Sequence, residues 1–254
     1  MSEDKKPPEG IGMLMGERRD GRRRMVFLHS SGATARLWED EVVYFNAWYD
    51  TLALDLPGRG GTGGEGETDA FAYGDFAARA LTELDFAPAV VVGLSMGGAV
   101  AQALCLSHPE LVSGLVLMGT GAKMPVAPAI FTGIEKDFDA FLDMSGMVAY
   151  GPDTDQEVKD RYRKVFAEVD PEVTFGDYIA CNTFDSREKL SDIHVPTLII
   201  SGDKDNLMAM KFSTYLDQHI DGSQLKVFPG AGHFVMAEKP EEFRRVVRRF
   251  MEGL

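Results

Sequence analysis

The chain has 254 residues, 44% of them hydrophobic and 26% charged, with a formal net charge of −14 from 40 acidic and 26 basic side chains. That is the composition of a globular protein large enough to bury a core without disulfide or metal staples. The acidic balance argues against a phosphate-binding surface for nucleic acid and against attraction to anionic membranes, and no apolar run approaches the ~18 residues of a membrane span.

Residues 1–10 are charged and proline-bearing and read as a solvated tail rather than a secretory leader. Residues 11–29 read as two short strands about a hairpin-type turn at Asp20-Gly21. The second, Met25-Val26-Phe27-Leu28-His29, is a continuous apolar run ending at Ser30-Ser31-Gly32, which suits a strand buried on both faces. A helix over 35–46 follows, then a strand at 51–54 broken by Asp55-Leu56-Pro57-Gly58-Arg59-Gly60-Gly61, then a helix over 70–86. A strand at 89–92 runs directly into Gly93-Leu94-Ser95-Met96-Gly97, with a small-residue helix behind it over 98–107 and a strand at 115–118.

Between Gly121 and Leu190 the alternation breaks. This stretch holds 14 acidic and 8 basic residues, a net −6, with Phe138, Phe141 and Leu142 marking one helix and Val158, Tyr162, Val165 and Phe166 another. Alternation then resumes with a strand at 197–200, a helix over 209–219, a strand at 225–228 and a helix over 240–252 that starts near Pro240. The order predicts an α/β fold, a mostly parallel sheet with helices on both faces. Residues 1–120 and 191–254 form one core domain, and 121–190 a helical insertion within it. Basic residues gather at 18–24 and 244–249 and read as solvated faces, with Glu241 and Arg245 spaced for an i, i+4 pair.

The sharpest local pattern is Gly93-Leu94-Ser95-Met96-Gly97, a GxSxG set between a strand and a helix. In that setting the serine occupies a tight turn, and the helix start aims N–H groups at its oxygen. A serine nucleophile needs a base within hydrogen-bond reach and an acid to orient the base. Of the five histidines, His233 in Gly230-Ala231-Gly232-His233-Phe234 follows the last predicted strand and falls on the same sheet edge as Ser95. His29 also ends a strand there, and reads as packing or fixing the neighbouring loop. Gly202-Asp203-Lys204-Asp205 offers two acids at that edge, Asp203 and Asp205, with Asp205 favoured because it lies further along the loop. An oxyanion hole requires two backbone N–H donors. Met96, just after the serine, supplies one. Ser31 is the choice for the other, with Ser30 as its rival. Met124, Leu207, Met208 and Phe234, together with Ser30, are candidates for the substrate pocket.

Taken in order, five pieces of the chain resemble the α/β-hydrolase superfamily, in its serine esterase, lactonase and C–C hydrolase branch. They are the strand ending His29-Ser30-Ser31-Gly32, Asp55-Leu56-Pro57-Gly58-Arg59-Gly60, Gly93-Leu94-Ser95-Met96-Gly97-Gly98, Pro196 through Asp205, and Gly230-Ala231-Gly232-His233 with Glu238-Lys239-Pro240. The resemblance implies an α/β-hydrolase fold with an inserted helical cap, Ser95 as nucleophile, His233 as base and Asp205 as orienting acid. The family's usual His-Gly is His29-Ser30 here, and the stretch before His29 leaves little room for a first antiparallel strand. Serine at position 95 disfavours the dehalogenase and epoxide hydrolase branches, which carry aspartate there.

The expected activity is hydrolysis of a carboxylic ester, thioester or lactone of a small, mainly apolar substrate, with no metal or organic cofactor. C–C bond hydrolysis or perhydrolysis on the same residues, and a ligand receptor built on a hydrolase scaffold, are the alternatives. The expected partner is a small molecule, with neither nucleic acid nor membrane. Cys105 and Cys181, in no disulfide framework, suit a reducing, cytoplasmic setting.

Overall fold

The apolar runs become seven strands of one sheet: β1 (Met13–Met15), β2 (Arg24–Leu28), β3 (Asp50–Leu54), β4 (Ala89–Leu94), β5 (Val112–Met118), β6 (Thr197–Gly202) and β7 (Gln224–Phe228). Their order is β1-β3-β2-β4-β5-β6-β7, parallel throughout except for β1. The computed structural model describes residues 10–254, so the tail expected at 1–10 lies almost wholly outside the described residues.

Side-chain alternation along the strands sorts the core onto two faces. Leu28, Val91, Leu117 and Ile199 pack toward α2 (Ala70–Glu83), α3 (Met96–Ser107) and α8 (Met210–His219). Phe27, Val92, Met118 and Ile200 pack toward α1 (Glu39–Phe45) and α10 (Pro240–Glu252). Both faces are therefore covered, as a parallel sheet requires.

The turn at Asp20-Gly21 does not make a hairpin. β1 pairs antiparallel with β3, Met13 opposite Leu54, while β2 lies on the far side of β3. A strand apolar on both faces takes a neighbour on each edge, and β2 has β3 and β4. The short β1 is left with the outer edge, so an antiparallel strand is present after all, three residues long.

Between β5 and β6 come four helices, twice the number expected: α4 (Pro128–Lys136), α5 (Phe138–Ala149), α6 (Gln156–Phe166) and α7 (Pro171–Thr183). The α5 start is capped by Asp137, whose side chain accepts from the Ala140 N–H at 3.0 Å. The α7 start has Asp170 accepting from the Glu172 N–H at 2.8 Å and Pro171 in the first turn. A small core of Ile134, Phe141 and Leu142 with Phe166, Phe175 and Tyr178 joins these helices.

On α10 the pairing differs from the expected one. Glu241 meets Arg244 at 3.6 Å rather than Arg245. Arg244 also reaches the buried Glu41 at 3.2 Å and lies over the Tyr44 ring, so this side of the helix is not a solvated face. Among the described residues no helix is long and apolar enough to cross a membrane.

Candidate active site

Every candidate site residue lies in the segment that follows the C-terminal end of a sheet strand, after β2, β4, β5, β6 or β7. Ser95 follows β4 directly and has φ 56° and ψ −117°, a left-handed backbone that a non-glycine residue adopts only when its surroundings enforce it. The enforcement is visible. Its N–H donates to Met118 O on β5 at 2.9 Å, and its carbonyl accepts from Gly98 N at 2.9 Å as α3 begins. A Cβ on Gly93 would overlap the Gly97 carbonyl, and one on Gly97 would overlap the Leu28 carbonyl on β2. The turn can close only with glycine at both places.

His233 follows β7 and is buried. Its Nδ1 lies 2.7 Å from Oδ2 of Asp205, in the loop after β6. The other Asp205 oxygen accepts from the N–H groups of Leu207 and Met208 at 2.9 and 2.8 Å, which fixes the carboxylate plane. Asp203 has a different task. Its Oδ1 accepts from Gly230 N at 2.7 Å and so braces the turn before His233. Gly119, after β5, has φ +53°, and a Cβ there would stand 2.9 Å from Nδ1 and Cε1 of the His233 ring.

The loop after β2 carries Ser30 and Ser31. Among the described residues neither the Ser31 N–H nor the Met96 N–H, in the first turn of α3, has a hydrogen-bond acceptor. Ser31 Oγ lies 3.4 Å from Cys181 Sγ, whose thiol is pushed up to about 12 by burial and so stays protonated. Ser30 Oγ is buried, and among the described residues it has no partner. His29 is wholly buried. Its Nδ1 is 2.9 Å from Ser30 O, and its Nε2 accepts from the Leu56 N–H at 3.1 Å. Burial pushes this imidazole down to about 3, with the Arg59 charge adding to the effect. It is a neutral strut between two loops.

The helical insertion also reaches this loop. Asp177 on α7 is wholly buried; its Oδ2 accepts from Gly32 N at 2.8 Å and pairs with Arg59 Nη1 at 2.5 Å, while its Oδ1 accepts from Arg59 Nη2 at 2.7 Å and from the Tyr73 hydroxyl at 2.6 Å. Burial, with the Asp177 charge, pushes the Tyr73 phenol far up, so it remains a donor. The ion pair is bidentate and fully desolvated, and its spare hydrogen-bonding capacity is taken up by neutral groups, the condition under which such a pair is tolerated.

Ser95, His233, Ser30 and Ser31 open onto one cavity of about 680 Å³. Its wall also contains Met124, Leu207, Met208 and Phe234, so the candidate pocket residues share one space with the candidate catalytic ones. Met96 and Asp205 lie behind that wall. Of the lining residues, Met144, Met147 and Leu207 are exposed. Among the described residues, no group of three His, Cys, Asp or Glu side chains is placed to hold a metal ion.

The model of the alpha/beta hydrolase family matches residues 25–246. The chain belongs to that family. A pimeloyl-[acyl-carrier protein] methyl ester esterase of Neisseria meningitidis serogroup C is 27% identical over 251 residues, covering 92% of this chain and 96% of that protein. A 2-hydroxy-6-oxononadienedioate/2-hydroxy-6-oxononatrienedioate hydrolase of Cupriavidus pinatubonensis is 30% identical over 260 residues, covering 91% and 87%. Among solved structures, the enol-lactonase of Burkholderia xenovorans superposes with a TM-score of 0.89 at 23% identity, over 95% of this chain and 96% of that one, a likeness of fold.

In this alpha/beta hydrolase, sequence reasoning missed Asp177, Tyr73 and Gly119. Asp177 is one of 14 acids in the insertion, and nothing in its spacing marks it. Gly119, in Gly119-Thr120-Gly121 after a strand, carried a turn signal, but only the folded chain brings it to the histidine ring.

Proposed function

We propose that the protein is a serine hydrolase cleaving a carboxylic ester, thioester or lactone of a small, mainly apolar substrate through an acyl-enzyme on Ser95. One observation carries the reading. Ser95, on a left-handed strand-to-helix turn, faces the same cavity as His233, and His233 is bonded through Nδ1 to the buried Asp205 at 2.7 Å. With Nδ1–H given to Asp205, Nε2 is free to accept the serine proton as Ser95 attacks the carbonyl carbon. The unpaired N–H groups of Met96 and Ser31 supply the two donors that the developing oxyanion requires. His233 then returns the proton to the leaving alcohol, thiol or lactone oxygen, and water releases the acyl group.

In this reading helices α4–α7 act as a cap over the core formed by 1–120 and 191–254, and the enzyme works in a reducing, cytoplasmic setting, consistent with two buried free thiols. The similarity to a relative named for a dioate substrate favours a second reading, hydrolysis of such a substrate on the same residues. The charges at the cavity favour the first. Its wall carries two acids, Asp143 and Asp160, against two cations; Arg163 is engaged by Asp139 and Asp143, and Lys159 lies over the Tyr150 ring, 6.0 Å from its centroid.

The test is Ser95→Ala assayed on p-nitrophenyl butyrate. Loss of about 10³-fold or more in a folded variant is expected. Retained turnover in that variant would sink the proposal. A neutral ester should also be turned over faster than a dicarboxylate monoester of equal length. The reverse order would favour the second reading.

A further inference from the structure

The carboxylate of Glu238, at the end of the short helix α9 (Val235–Glu238), is not paired with a cation among the described residues. It accepts hydrogen bonds from two separate parts of the chain. From the histidine loop, Gly232 N donates to both oxygens at 3.0 Å and Phe234 N to Oε1 at 3.2 Å, so the donors flank His233 on either side. From the connection between α5 and α6, Gly151 N and the Thr154 hydroxyl each donate to Oε2 at 2.7 Å. Both oxygens are occupied, and every donor is neutral.

The two segments joined in this way also touch directly. The His233 N–H donates to Ala149 O, the last residue of α5, at 2.6 Å. That carbonyl is one of the orphan acceptors at a helix end, so the contact satisfies both groups. A Cβ on Gly232 would run into Gly151 N and the Tyr150 carbonyl carbon, and one on Gly151 would overlap the Gly230 carbonyl. The backbones interlock with no room for a side chain. Phe234 adds a stack on Tyr150 at 5.0 Å between ring centroids.

We propose that Glu238 is a positioning residue for His233: its carboxylate ties the histidine loop to the α5–α6 connection, so that the end of α5 and the base move as one body. The proposal rests on His233 being the base of the reaction described above. The carboxylate matters because it offers two oxygens and no hydrogens, and the donors come from both sides. A glutamine is nearly the same size, but one of its oxygens is replaced by an N–H₂ that would face those N–H groups. The loop must then let go of one partner, and small displacements of a general base cost rate steeply.

The experiment compares Glu238→Gln and Glu238→Asp with the parent on p-nitrophenyl butyrate. Each rate is divided by the concentration of Ser95 that reacts with a phosphonate titrant. The glutamine variant should lose about 10- to 100-fold in kcat per titrated site, with KM changed less than about threefold. The aspartate variant, which keeps two acceptor oxygens, should recover about threefold or more over glutamine. Thr154→Val, which removes a single donor on the insertion side, should show a smaller loss of the same kind and stands in if glutamine prevents folding. An unchanged kcat per titrated site in these variants overturns the proposal, because it would mean that Glu238 only affects how much protein folds. A parent that neither turns over ester nor labels on Ser95 overturns the underlying reading instead.

Discussion

The backbone N–H of Gly32 donates to Oδ2 of Asp177 at 2.8 Å, so a carboxylate on α7 of the insertion holds the loop that presents the Ser31 N–H. The same carboxylate closes on Arg59 and Tyr73 inside the protein. The insertion and the loop after β3 thus meet at one desolvated point directly behind the candidate oxyanion donor.

Asp177→Asn leaves the Arg59 guanidinium buried without its counter-charge, and a loss of about 3–5 kcal/mol in urea unfolding is expected. Arg59→Met combined with Asp177→Leu removes both charges and should recover much of that stability. It still leaves Gly32 without an acceptor, so ester turnover should stay well below the parent's. Full turnover in the double variant would show that the loop keeps its shape unaided.

Gly119→Ala places a methyl group against the His233 ring at a residue with φ +53°. The backbone strain alone costs about 1–2 kcal/mol. Displacement of the ring should cost about tenfold or more in kcat. Melting curves and steady-state rates on the same sample separate the two effects. A variant with parental kcat would mean that the ring tolerates the shift.

His29 gives a pH signature. Its folded value near 3 lies below the ordinary 6.5, so the folded state stays neutral where the unfolded chain takes up a proton. The stabilisation is therefore complete above about 6.5 and is lost as pH falls toward 3. His29→Asn should destabilise at pH 7 through the lost contacts with Ser30 and Leu56. The gap to the parent should then narrow by about 2 kcal/mol between pH 6.5 and 4.5. A gap independent of pH would mean that His29 titrates normally in the folded protein.

Glu41 has the opposite sign. Burial pushes its carboxyl from 4.5 up to about 7, despite the nearby Arg244. The folded state holds a proton that the unfolded chain has released, so this contribution is full below about 4.5 and is lost as pH rises through about 7. Glu41→Gln should gain stability relative to the parent across that window, by up to about 3 kcal/mol. Denaturant titrations at pH 4.5 and 8 check this, and no relative gain would show that the Arg244 pair outweighs burial.

The sheet was legible because its strands are buried on both faces and appear as short apolar runs with turn residues between them. Val90-Val91-Val92 leading into Gly93 is the plainest case, and it placed Ser95 on the correct edge. β1 was legible as a strand but not in its pairing, since Met13–Met15 is too short for its pattern to choose a partner. α4 and α7 went unseen for a physical reason. α4 buries little beyond Ile134, and α7 spends its buried positions on Thr174, Gly176, Asp177, Ala180 and Cys181 instead of a stripe of large apolar residues. The His233–Asp205 contact could be anticipated from loop order. The Gly32–Asp177 bond spans 145 residues and could not be.

The seating of α5 on the histidine loop limits how a molecule can reach Ser95. Swinging the insertion aside would pull Ala149 O away from the His233 N–H and part Tyr150 from Phe234. With α5 seated, the exposed part of the cavity wall is the side carrying Met144, Met147 and Leu207. An entrance held on that side would act as a sieve. Slender esters should pass at rates that depend little on their length, whereas branching close to the carbonyl should slow capture sharply, a discrimination set by cross-section rather than by affinity.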